Sequence, residues 1–248
     1  MRFTEKIRKL TNGQTLTSFC RRVRLLFNHL VFPSPLSSER IIASIEGDKF
    51  REIYRRYAVE NPGADWPKFL DLNRWIRVNM QHVRELRLND GKRGRILDLG
   101  CGTGYFAYIC RQLGHDAIGL DINEVPMFGE LTQLLRVPRV IWRIQAFVPL
   151  PDFGHEFDLI TAFLACFNNH AGPETWGIVE WDFFLDDVAR HLSPGGRLWL
   201  ELNRQADGQP YSPELKRFFE SRGAEIDIYR VIFNSGPRVP SSRLPIIR

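Results

Sequence analysis

The chain has little that would place it in a membrane, an oxidising compartment or a metal class. No apolar run approaches the roughly 20 residues needed to span a bilayer. The four cysteines, Cys20, Cys101, Cys110 and Cys166, form no C-x-x-C or other metal-like spacing, so a reducing cytoplasm is the expected setting. The first residues offer no usable signal peptide, because Arg21, Arg22 and Arg24 interrupt the best apolar stretch. No internal repeat is visible. A phosphate loop is excluded as well: it needs a Lys after its last glycine, and this chain has Tyr105 after Gly104.

What is present is ordinary in bulk and uneven in charge. The 248 residues are 44% hydrophobic and 25% charged, with a net charge of +5, a length and composition suited to one globular domain of generous size or to one domain with an appended segment. Residues 1–94 carry 19 Lys/Arg against 10 Asp/Glu, whereas the remainder carries 15 against 19. A basic leading half can meet nucleic acid or anionic lipid, or form a solvated surface. Phe19, Val23, Leu26, Phe27, Leu30 and Val31 recur at helical spacing opposite the arginines. Residues 1 to about 32 are therefore expected to form a helix with a basic face, which could touch a membrane surface through residues 19–32, pack on the domain or be loosely ordered. Further helices are expected at 39–59 and 67–88.

The most informative stretch is Arg95-Ile96-Leu97-Asp98-Leu99-Gly100-Cys101-Gly102-Thr103-Gly104-Tyr105-Phe106-Ala107. It reads as a buried strand, a tight turn and a helix N-terminus. Glycines in such a turn admit unusual dihedrals and let a ligand approach the backbone closely. Gly102 to Ala107 also satisfy the G-x-G-x-x-A form of a dinucleotide fold, so NAD(P) is an alternative ligand on this turn alone. Asp121 ends a second strand 21 positions after Gly100, where an acid can accept hydrogen bonds from ribose hydroxyls. Phe157-Asp158-Leu159-Ile160-Thr161-Ala162-Phe163 reads as a buried parallel strand. Leu192 to Leu202 reads as a helix end, a Pro-Gly-Gly turn and another strand.

Residues 94 to 234 thus resemble the class I S-adenosylmethionine-dependent methyltransferases. In that family a D-x-G-x-G-x-G turn, an acid ending the second strand, an F-D-x-I/V fourth strand and a P-G-G before the fifth occur in this order. The resemblance implies a doubly wound, mostly parallel α/β sheet of Rossmann type, residues 94–235. A basic helical extension or lid would precede it at 1–93, and a mobile tail would follow at 236–248. The segment 224–234 is strand-like, but its length leaves little room for the closing hairpin of the family.

The same resemblance implies S-adenosyl-L-methionine as cofactor. Gly100, Gly102 and Gly104 would lie along it, with Asp98 near its ammonium, Asp121 on the ribose and Ile122 against the adenine face. The family often reads the adenine amino group with an acid after the third strand; here that position is Ala146. Gln145 through its side-chain oxygen, or the backbone of Phe147, would replace it. After the fourth strand, His170 is a candidate general base, and Asn168 and Asn169 can orient an acceptor or merely turn the chain. The Asn/Asp-Pro-Pro-aromatic signature of base N-methylation is absent, so a small-molecule acceptor is expected, with a nucleic acid as the alternative. Cys166 reads as apolar filling. Trp176, Trp181, Phe183 and Phe184 wall a pocket or pack a helix, and Tyr54, Tyr57, Trp66 and Trp75 cover the cofactor or pack a core. A protein that binds the cofactor without catalysis would share these features.

Overall fold

The structure, a computed structural model, describes residues 36–60 and 66–238. The expected helix over residues 1–32 and the tail beyond 238 lie outside the described residues. The leading segment holds α1 (Ser38–Ala43), α2 (Gly47–Tyr54), a π-helical turn (Arg55–Val59), a 3₁₀ turn (Trp66–Leu70) and α3 (Leu72–Glu85). The two long helices expected here are therefore broken. The second break has a local cause in a new cap, because Asp71 accepts from the Arg74 amide and starts α3 afresh; at the first, the Ser44 hydroxyl donates to the Ile41 carbonyl at 2.6 Å where α1 ends.

From Arg95 strands and helices alternate: β1 (Arg95–Leu99), α4 (Tyr105–Gln112), β2 (Asp116–Asp121), α5 (Pro126–Leu134), β3 (Arg139–Ile141), β4 (Phe157–Phe163), α6 (Ile178–His191), β5 (Leu192–Glu201), α7 (Pro213–Ser221), β6 (Glu225–Asp227) and β7 (Arg230–Phe233). They form one sheet of order β3-β2-β1-β4-β5-β7-β6. The first five strands are parallel and β7 runs antiparallel to β5 and β6. The doubly wound, mostly parallel Rossmann-like architecture is thus borne out. The order reverses between β1 and β4, so a crevice opens beyond their carboxyl ends, where such sheets bind ligands.

The closing hairpin, for which the sequence left little room, is present in compressed form. Asp227 pairs with Arg230, leaving only Ile228 and Tyr229 in the turn. Ile228 takes φ +57, a costly conformation for a β-branched residue. Its carbonyl accepts from the Tyr211 hydroxyl at 2.5 Å, and Tyr229 accepts from the Leu202 amide at 2.8 Å. The Pro-Gly-Gly segment is a bulge within β5, since Leu192 pairs with Phe157 and Arg197 already with Leu159. Asp158 explains the acid of the F-D pair structurally. It accepts from the Arg95 amide (2.8 Å) and the Ser193 hydroxyl (2.9 Å), tying together the amino ends of β1, β4 and β5.

Two apolar layers cover the sheet. On one face Leu97, Ile160, Leu198 and Phe233 meet Trp181, Phe184 and Leu185 of α6 and Phe219 of α7. On the other, Ile96, Ala117 and Leu159 meet α4 and, above it, Ile76, Met80 and Val83 of α3. The leading helix α3 is thereby part of the core. It is also held by a buried ionic cluster. Arg230 donates to Glu201 at 2.8 Å and to Glu85 of α3, and its guanidinium lies 5.1 Å from the Trp199 ring. All three ionic residues are at most 9% exposed. Removing the arginine alone leaves two buried carboxylates without their cation. Arg230→Met is expected to destabilise the fold by about 3–5 kcal/mol in urea unfolding; a loss under about 1 kcal/mol would contradict this role.

Candidate active site at the β1–β4 switch point

The glycine turn leaves β1 directly into the crevice. Gly100, Gly102 and Gly104 all have positive φ, +67, +51 and +77. At Gly100 the constraint is double. A Cβ there would lie 2.6 Å from the Cβ of Ala165, the second residue after β4. The turn is tied to β2, because the amides of Gly100 and Cys101 both donate to the Leu120 carbonyl, at 2.7 and 3.2 Å. Gly119 of β2 completes this packing: a Cβ there would stand 2.4 Å from the Cys101 sulfur. The sequence reading passed over Gly119, although a glycine inside a strand signals such an approach.

Two carboxylates flank the turn. Asp121 lies at the end of β2, with Oδ2 accepting from the Gly102 amide (2.5 Å) and Oδ1 from the Ile122 amide (2.7 Å). Each oxygen keeps lone-pair capacity for another donor. Burial raises its pKa, against the lowering effect of those amides and of Arg139. Asp98, on β1, is 3% exposed. Burial pushes its pKa up to about 7; the Thr161 hydroxyl, 2.8 Å away, opposes the rise and the charge of Asp121 adds to it. Among the described residues no cationic side chain pairs with Asp98. A buried carboxylate of this kind is poised to take a cation from a ligand.

The other expected residues line the same edge. Ile122 is half-buried beyond β2, and the Trp142 amide bonds the Asp121 carbonyl at 3.0 Å. That contact brings the segment after β3 alongside. There Gln145 and Phe147 are exposed and Ala146 is half-buried. Phe147 has φ +61 and sets its ring against Phe183 of α6, centroids 5.8 Å apart.

The loop after β4 bounds an open cleft of about 420 Å³ lined by Cys166, Asn169, His170 and Glu174 among others. Within it the Nδ1 of His170 is buried without a hydrogen-bond partner among the described residues. Desolvation lowers the pKa of this histidine, so the ring is neutral near pH 7 and able to accept a proton. Asn168 is buried and its carbonyl accepts from the Trp176 amide at 3.0 Å. Asn169 takes φ +52, a turn role. Cys166 is exposed on the cleft wall, not apolar filling as the sequence suggested. Asn203, unforeseen from sequence, donates to the Leu164 carbonyl at 2.7 Å and holds this loop to the end of β5. Trp176, Trp181 and Phe184 are buried against Phe167 in the core. Of the leading aromatics, Trp75 packs on Phe69 and Tyr57 bonds Glu130 of α5 at 2.8 Å. Trp66 contacts Phe128 edge-on at 5.7 Å, and Tyr54 is exposed.

Comparison with known proteins fits this geometry. A family model described as a methyltransferase domain matches residues 72–227. The chain belongs to that family. The resemblance to class I S-adenosylmethionine-dependent methyltransferases is therefore borne out. The match begins with α3, in keeping with its place in the core. Among curated relatives, the secondary metabolism regulator laeA of Coprinopsis cinerea is 25% identical over 201 residues, 74% of this chain and 46% of that protein. The cypemycin N-terminal methyltransferase of a Streptomyces species is 26% identical over 114 residues, 46% of this chain and 44% of that protein. The chain spans a little under half the length of these relatives. Among solved structures, an S-adenosylmethionine-bound amino pentose methyltransferase, CalS10 of Micromonospora echinaspora, is similar with a TM-score of 0.38 and 23% identity. That likeness covers 64% of this chain and 57% of the other.

The contact of Gly100 with Ala165 yields a direct test. Gly100→Ala adds both a clash and a left-handed alanine, and is expected to lower stability by about 1–3 kcal/mol. The double variant with Ala165→Gly should recover part of that loss in thermal unfolding. Full additivity of the two losses would show that the methyl groups do not meet.

Proposed function

We propose that this chain is a methyltransferase that moves the methyl group of S-adenosyl-L-methionine to a small-molecule acceptor. The observation that carries the reading is the glycine turn at the switch point, flanked by a cation-less buried Asp98 and by Asp121 with spare acceptor capacity. These groups fit the cofactor's ammonium and ribose diol. When bound, the sulfonium supplies a methyl already activated for displacement. The residues then have three tasks. Asp98, the backbone of Gly100, Gly102 and Gly104, and Asp121 fix the donor. Ile122 and the segment Gln145, Ala146 and Phe147 hold the adenine end. His170 would take the proton that the acceptor nucleophile sheds on methylation. Holding two reactants in line accounts for roughly 7–11 kcal/mol of such a barrier.

A small acceptor suits the cleft beside His170, whose volume of about 420 Å³ falls in the range of small-ligand pockets. The stretch between α2 and α3 serves as a cover, with Trp66 packed on Phe128 of α5. Arg56 and Tyr57 anchor on Glu130, and the Phe128 ring edge stands 3.8 Å from where a Gly102 Cβ would lie. Among the described residues no helix is long and apolar enough to cross a membrane. The three described cysteines are unpaired, which supports a cytoplasmic setting.

Four outcomes follow for calorimetric titration with S-adenosylhomocysteine. Asp121→Ala weakens binding at least tenfold; unchanged affinity would remove the ribose role. Wild-type affinity falls as pH drops below 7, approaching tenfold per unit as Asp98 takes up its proton. Asp98→Asn flattens that dependence. His170→Ala keeps wild-type affinity for this ligand. In a labelled-methyl transfer assay on an acceptor found by screening amines and alcohols, its turnover falls by about 10²–10⁴; undiminished turnover would end its candidacy as base.

A further inference from the structure

Thr161 is the one hydroxyl in an otherwise apolar β4 core, and it is fully buried. It is the register partner of Asp98 on β1. A buried threonine in a strand can satisfy its hydroxyl on a neighbouring carbonyl. Here the Leu97 carbonyl lies 3.5 Å away, yet the short bond, 2.8 Å, goes to Asp98 Oδ1. Resting on the cofactor reading above, we propose that Thr161 is a positioning residue for cofactor binding. Its hydroxyl, donated across the β1–β4 ladder, holds the Asp98 carboxylate in place to meet the ligand's ammonium.

The other influences on Asp98 among the described residues, its burial and the charge of Asp121, both disfavour the ionised carboxyl. Asp121 on β2 repels it, and the thiols of Cys101 in the turn and Cys110 on α4 are themselves pushed up by burial and by Asp98. Among the described residues the Thr161 hydroxyl is the side-chain donor that favours the ionised carboxyl. Losing that donor leaves the carboxyl protonated to a higher pH, where it cannot pair with an ammonium group. Thr161→Val keeps β-branching and nearly the same shape in a buried strand, so the lost hydroxyl is the main change.

The test measures S-adenosylhomocysteine affinity of the full chain from pH 6 to 8.5 for wild type, Thr161→Val and Thr161→Ser. The ratio of variant to wild-type Kd cancels the titration of the ligand's own amino group. For Thr161→Val the ratio should be about tenfold at pH 6, the effect of a one-unit rise in the carboxyl pKa, and should shrink to within twofold at pH 8.5. Thr161→Ser should stay within twofold throughout. A merely structural role would weaken binding by the same factor at every pH. A flat ratio with wild-type binding intact therefore overturns the role of Thr161 alone. Failure of wild type to bind the ligand at any pH overturns the cofactor reading, and this role with it.

Discussion

The site depends on how closely β1 and β4 part. At their carboxyl ends Gly100 lies against Ala165 with no room for a further methyl group, and the turn hangs from the Leu120 carbonyl of β2. That spacing puts three strand ends within reach of one ligand. β1 brings Asp98 and the glycine backbone, β2 brings Asp121, and β4 brings Thr161 and the loop of His170. The same contact joins the donor side of the crevice to the cleft beyond β4. A displacement of either strand would separate what must be aligned.

Buried charge is used in two ways in this fold. Arg230 is matched by Glu201 and Glu85 and secures α3 to β5 and β7. Arg222 is likewise matched by Asp182 and Asp186 of α6. Asp98 is buried just as deeply, yet its neighbours are a hydroxyl, two thiols and a second carboxylate. Burying a carboxyl without a cation costs stability unless it protonates. Its persistence at the mouth of a glycine turn is the kind of local cost found where a ligand supplies the missing charge.

Much of this was legible in the sequence because it follows from backbone requirements. Three glycines at alternate positions after an apolar run can hardly avoid a tight turn. Acids at 98 and 121 are spaced by the length of one strand–helix–strand unit. The alternation of apolar strands and amphipathic helices predicts the parallel sheet. What escaped was set by packing between distant segments. The Cys101 sulfur over Gly119, the Thr161 hydroxyl chosen by Asp98 and the Asn203 amide on the loop all depend on sheet register, which a linear pattern does not reveal. The hairpin at 225–233 looked too short because a two-residue turn with an isoleucine at positive φ is an unusual solution. The breaks at Ser44–Glu46 and Asp71 were masked by continuous helical periodicity.

The most direct measurement is calorimetric titration of the whole chain with S-adenosylhomocysteine and, separately, with NADH, the two ligand classes that a glycine turn of this form admits. Saturable binding of the thioether nucleoside at micromolar concentration, with no heat from NADH, is the predicted result. Binding of NADH with indifference to S-adenosylhomocysteine at millimolar concentration would contradict the account at its centre, leaving the architecture without the proposed chemistry.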